Sequence, residues 1–149
     1  MKSNDYSDIL IDHFERPRNV GQLADADGVG TAGDPAGGDV MTIWIRVRDE
    51  RISEITFQCR GCPAAIACGS VTTELAKGKH LDEADEIAPD TIADALGSLP
   101  AHKQHCSNLG ADALGNATWD YVIRSINESC AKRGGDGDTD RPKKASFEG

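Results

Sequence analysis

The sequence predicts a single α+β domain in which a small antiparallel β-sheet packs against helices. Three observations lead there. The N-terminal stretch carries apolar residues at helical spacing; two adjacent β-branched stretches are separated by a short polar connection; and the apolar segments after them are helical in character. The 149 residues suffice for one domain with a proper core and are too few for two.

Tyr6 to Arg16 reads as the first helix. Ile9, Leu10, His13 and Phe14 recur at helical spacing, Ser3 or Asn4 caps the start, and Pro17 stops it by pushing the preceding residue out of helical geometry. A loop rich in Gly, Ala and Asp follows to Gly38, with a short strand expected over 28–32. Met41 to Arg48 alternates and is β-branched, Ile52 to Cys59 is similar, and Asp49-Glu50-Arg51 joins them as a hairpin. Pro63 opens a helix to Lys77, since proline at the first helical position needs no amide partner, and Gly78 closes it. Short helices are expected from Leu81 to Ile87 and from Pro89 to Leu96, then a break at Ser98-Leu99-Pro100. A long helix runs from Ser107 to Ile126; Gly110 and Gly115 weaken its intrinsic propensity, so packing must hold it. After Cys130 apolar residues almost vanish, which divides the chain into a domain over 1–130 and a flexible polar tail over 131–149.

Hydrophobic residues at 38% and charged residues at 28% describe a soluble globular chain, not a disordered or membrane one. No apolar run approaches the roughly 18 residues of a membrane span, and Met1 to Asp5 lacks the apolar region of a secretory signal. A cytoplasmic address without membrane association is the expectation. The net charge of −9 repels phosphate backbones and disfavours nucleic-acid binding. It fits cations or basic partner surfaces, or simply solubility. The five cysteines, an odd number, argue for thiol or metal chemistry and against a disulfide framework.

Cys59-Arg60-Gly61-Cys62-Pro63 places two thiols between a strand end and the first turn of a helix. Unpaired backbone amides there favour a thiolate, which suits Cys62 to a ligand or nucleophile role. The spacing alone fits half a metal site, a redox pair or two buried strand-end cysteines. His105-Cys106-Ser107, at the start of the long helix, pairs an imidazole with a thiol. Asp39 follows the loop Asp34-Pro35-Ala36-Gly37-Gly38; it reads as a turn carboxylate or an oxygen ligand. If these segments meet at one rim, Asp39, Cys62, His105 and Cys106 form a mixed set for iron or zinc, with the oxygen ligand making a soft cluster more labile. Cys68, roughly 9 Å along the helix from Cys62 and pointing away from it, reads as core, and Cys130 as a helix-end or surface residue.

In this order these segments resemble the iron–sulfur scaffold family of IscU and the N-terminal domain of NifU. The matching stretches are Ile9 to Gly21, Gly38 to Met41, Gly61-Cys62 with Ala65-Ile66-Ala67, Thr73 to Lys79, Leu99-Pro100 with Lys103, and His105-Cys106-Ser107. The resemblance covers nearly everything from Tyr6 to Tyr121. It implies an α+β fold and a site at one end that assembles a transient [2Fe–2S] cluster or holds iron. Asp39, Cys62, His105 and Cys106 match the family's site residues by position. It also implies a cysteine desulfurase as sulfur donor and apo iron–sulfur proteins as recipients.

Two departures from the family matter. Its first cysteine, in a Pro-x-Cys-Gly-Asp loop, is Gly37 here. Cys59, three residues before Cys62, is the expected replacement; the alternative is a degenerate site that binds zinc. The missing ligand also leaves open a cluster shared between two copies in a homo-oligomer. The second departure is Leu99-Pro100-Ala101-His102-Lys103, where the family reads Leu-Pro-Pro-Val-Lys. Loss of the second proline argues against recognition by a dedicated DnaK-type chaperone. The leading function is therefore a scaffold that binds and transfers without turning over a substrate. The other classes are a zinc-stabilised interaction or regulatory module, and a thiol oxidoreductase using Cys59 and Cys62.

Overall fold

The computed structural model describes residues 6–34, 36, 38–97, 99 and 103–132, with side chains as far as 128. Its elements follow in the order α1 (Asp8–Glu15), β1 (Gly28–Gly33), β2 (Val40–Arg48), β3 (Arg51–Arg60), α2 (Pro63–Ala76), α3 (Leu81–Asp85), α4 (Pro89–Ala95) and α5 (Gln104–Lys132). This is the expected α+β architecture. The strands form one antiparallel sheet in the order β1-β2-β3. No helix among the described residues is long and apolar enough to cross a membrane.

Alternation builds the sheet. Ile43 pairs with Phe57 and Ile45 with Ile55, so these side chains share one face and are buried under the helices. Asp49 and Glu50 both take left-handed backbone (φ 55° and 63°), which makes the β2–β3 hairpin a two-residue turn whose twist matches the strands. Arg51, expected in the turn, instead opens β3 opposite Arg48.

α1 starts later than the sequence suggests. Ser7 is its cap, accepting the Leu10 amide at 3.0 Å; Ser3 and Asn4 lie outside the described residues. The helix buries Leu10 and His13 against α2. Ser70 on α2 accepts the Arg18 amide at 2.9 Å, and its hydroxyl lies 2.7 Å from His13 Nδ1. Burial, followed by the Arg18 charge, holds His13 below its ordinary pKa.

α2 lies against the sheet, and its small residues Ala64, Ala65, Ala67 and Cys68 are fully buried. α5 crosses both β1 and α2, burying Leu109, Ala113, Leu114 and Ala117. It begins at Gln104, ahead of the expected Ser107, and runs past the expected domain boundary at 130 to Lys132. The proposed tail from 133 onward, Gly37, the Ser98 and Pro100 parts of the expected break, and the departures at Ala101 and His102 lie outside the described residues.

Candidate metal centre

Three chain segments converge at one rim of the sheet. Asp39 immediately precedes β2, Cys62 is the N-cap of α2, and His105 and Cys106 lie in the first turn of α5. Cys62 has extended backbone (φ −76°, ψ 168°) and its side chain caps no amide, so the thiol is free to face the rim. Pro63 then fixes the first helical residue behind it. Gly61 makes room for the carboxylate: a Cβ there would lie 2.7 Å from Asp39 Cγ.

The ligand atoms of Asp39, Cys62 and Cys106 all lie within 4.8 Å of one another. Cys62 Sγ is 3.7 Å from Asp39 Oδ2 and 3.7 Å from Cys106 Sγ. His105 Nε2 closes the circuit at 3.6 Å from Cys106 Sγ and 3.7 Å from Asp39 Oδ2. Metal–ligand bonds of about 2.0–2.3 Å at tetrahedral angles give ligand–ligand edges of about 3.3–3.8 Å. These four edges fit that range, but His105 falls outside the 4.8 Å group because its ring stands further from Cys62, so the imidazole must swing inward to complete a tetrahedron. His105 forms the open side, its side chain 60% exposed, whereas Cys106 is fully buried.

Burial pushes the Cys106 thiol up, and Cys62 beside it adds to the rise. Cys106 sits inside the first turn of α5, packed in the core. Cys68 is core as expected, pushed up to about 12 by burial. Cys59 pairs with Met41 in β3 and so shares the helix-covered face of the sheet. Burial first, then the Asp39 and Cys62 charges, pushes it up to about 12, and its thiol lies outside the 4.8 Å group. The thiol that meets Cys62 is therefore Cys106, not its sequence neighbour in the Cys-x-x-Cys spacing.

Lys103 was not among the sequence-predicted site residues. Its pKa is raised, chiefly by negative charge at Cys62. Its ammonium is thus placed near Cys62 at the rim. The signal was present in the sequence: once α5 begins at Gln104, Lys103 falls at the entrance to the same turn as Cys106.

A domain with a three-stranded antiparallel sheet under helices, bearing a carboxylate, two thiols and an imidazole at one rim, defines a class of small metal-handling α+β proteins. The model of the NifU-like N-terminal domain matches residues 5–128, and the chain belongs to that family. The iron-sulfur cluster assembly scaffold protein IscU 1 of Archaeoglobus fulgidus is 60% identical over 120 residues, covering 80% of this chain and 78% of the relative. The IscU scaffold protein of Escherichia coli K12 is 49% identical over 120 residues, covering 78% and 93%. Among solved structures, a hypothetical protein at 25% identity superposes with a TM-score of 0.60 over 74% of this chain and 94% of its own. The N-terminal part of a NifU-like protein from Brucella abortus, at 20% identity and a TM-score of 0.52 over 83% and 95%, shows the same fold.

Proposed function

We propose that this protein is an iron–sulfur cluster assembly scaffold that builds a transient [2Fe–2S] cluster on Asp39, Cys62, His105 and Cys106 and transfers it to apo-proteins. The observation that carries the reading is the circuit of 3.6–3.7 Å contacts linking those four side chains. Iron and sulfide are cargo here, and the protein turns over no substrate. A cysteine desulfurase would supply the sulfur in the cytoplasm. In this proposal Cys59 takes the place of the family's loop cysteine, absent at Gly37. Its buried thiol would give up a proton as the positive charge of iron arrives. A DnaK-type chaperone has no part in the proposal, since segment 99–103 lacks the second proline.

Anaerobic reconstitution with iron, sulfide and reductant tests it. The wild type should gain visible absorption and acid-labile sulfide, Cys62→Ser and Cys106→Ser should lose both, and Cys59→Ser should alter the spectrum. Unchanged absorption in Cys59→Ser would remove that residue from the site. Native mass measurement on the loaded protein distinguishes a cluster held in one chain from one shared between two copies.

The same four donors favour a second reading. One carboxylate, two thiolates and one imidazole make a complete tetrahedral zinc set. A zinc-binding interaction module would stay colourless in the reconstitution and retain zinc in the presence of excess ferrous iron and sulfide.

A further inference from the structure

Far from the rim, the outer half of α5 presents an apolar stripe. Trp119 is 64% exposed and Ile126 53%, with Val122 and Ile123 also exposed between them. They fall at i, i+3, i+4 and i+7, the spacing of one helix face. On one side the stripe borders a groove of about 380 Å³, bounded opposite by the β2–β3 turn and α3. Trp119, Val122 and Ile126 form its apolar wall; Glu50, Asp82 and Asp85 line the opposite wall with His80 between them, 3.5 Å from Glu50 and 3.8 Å from Asp82, and among the described residues no Lys or Arg lines the groove. The nearest cation on the helix, Arg124, is turned away, bonded to Asp120 at 2.9 Å and to the Ala26 carbonyl at 3.2 Å.

We propose that this groove is a docking surface for a basic amphipathic helix of another protein, one with bulky apolar residues on one face and Lys or Arg along its edge. Charge complementarity selects the occupant. An apolar strip against three carboxylates suits a segment that buries its apolar face while its cations meet the acidic wall. A second copy of this chain would bring two acidic walls together, in a molecule already carrying a net charge of −9. Trp119 to Ile126 spans about 10 Å of helix axis, enough for about two turns of a partner helix. Cys106 and Trp119 are thirteen positions apart on α5, about 20 Å along the axis, so the partner leaves the metal-centre rim uncovered. Docking here is thus independent of whether that rim carries a cluster.

The test uses the full chain and a dye-labelled synthetic helical peptide with leucine on one face and lysine on the other, followed by fluorescence anisotropy. Saturable binding is expected, absent for the same peptide with glutamate in place of lysine. Because Trp119 and Ile126 are exposed, the double variant W119S/I126S should keep the wild-type circular dichroism while weakening binding about tenfold or more. E50Q/D82N should weaken binding and flatten its salt dependence, whereas E15Q/D94N, which removes the same charge elsewhere, should leave both unchanged. Equal binding by wild type and W119S/I126S overturns the proposal, as does equal weakening by the two charge variants. So does a native dimer that W119S/I126S dissociates, which assigns the face to a second copy. Stronger peptide binding after deletion of 133–149 also overturns it, because the chain's own C-terminal segment is then the occupant.

Discussion

Two glycines of α5 are alike to a propensity scale and opposite in packing, so Gly110→Ala and Gly115→Ala measure how the helix is seated. At Gly110 a Cβ would lie 2.6 Å from Thr72 Oγ1 and 3.3 Å from Ile92 Cδ1; at Gly115 nothing lies within 4 Å. Thr72 is fully buried, and its hydroxyl donates to the Cys68 carbonyl at 2.6 Å, so it cannot turn aside without losing that bond. Each alanine gains about 1 kcal/mol of helix propensity. Gly110→Ala adds overpacking of about 2–3 kcal/mol against α2, for a net loss of about 1–2 kcal/mol.

The two variants therefore differ by about 2–3 kcal/mol, roughly 5–10 °C in melting midpoint for a domain of this size. Gly115→Ala melts above wild type and Gly110→Ala below it. Thermal circular dichroism on reduced, metal-free samples reads the difference. Gly110 lies one turn beyond Cys106, so lifting α5 from α2 also separates Cys106 from Cys62, and Gly110→Ala weakens the cobalt(II)–thiolate absorption that Gly115→Ala retains. Coincident melting of the two variants, or a Gly110→Ala midpoint above wild type, would refute the close α2–α5 contact.

Protonation of His13 is disfavoured in the fold, with a pKa below its ordinary 6.5. Its stabilising contribution is thus fully present above pH 6.5 and is lost as pH falls from there through the lowered folded value. Urea unfolding across pH 7 to 4 should show this loss in wild type and a shallower slope in His13→Gln; equal slopes would exclude His13 as its source. At the rim, Gly61→Ala should push the Asp39 carboxylate aside, since the new Cβ would lie 2.7 Å from its Cγ. Zinc affinity, measured by chelator competition, should fall about 10–100-fold. It should fall little further in Gly61→Ala/Asp39→Ala, and additive losses would mean that Gly61 acts elsewhere.

Much of the fold was legible because the strands carry their own signal. Ile43, Ile45, Ile55 and Phe57 alternate on the buried face, and Pro63 and Gly78 bracket α2 closely. The misjudged boundaries were those fixed by tertiary contact. Ser7 caps α1, and its hydroxyl also donates to the Leu96 carbonyl, a partner remote in sequence. α5 starts at Gln104, whose side chain reaches back to the Leu99 carbonyl at 2.9 Å; no simple cap pattern marks that start. The site residues divide in the same way. Asp39, Cys62, His105 and Cys106 sit at element starts that the sequence located to within a few residues. The Cys-x-x-Cys spacing, by contrast, suggested a partnership between Cys59 and Cys62 that strand geometry loosens, because one thiol belongs to the covered sheet face and the other to a helix cap. Lys103 stayed hidden because it counted only as part of an expected partner-recognition segment.

The rim has two unlike walls, and their difference bears on how it would handle metal. Inward lie Cys106 and Cys59, both pushed up by burial, so without metal the protein interior keeps them as neutral thiols. Outward lie His105 and Asp39, 3.7 Å apart and open to solvent through the imidazole, with Lys103 beside Cys62. An incoming cation meets the hard oxygen and borderline nitrogen donors on the accessible side first. At the site proposed above, completing its coordination would displace a proton from the buried Cys106, and the cost of that ionisation would subtract directly from binding free energy. A site composed only of thiolates would grip soft metal more firmly. In this one the free energy of binding is drawn down by deprotonation on one wall and by a harder ligand on the other, and both reductions favour release, which a carrier requires and a permanent structural metal site does not.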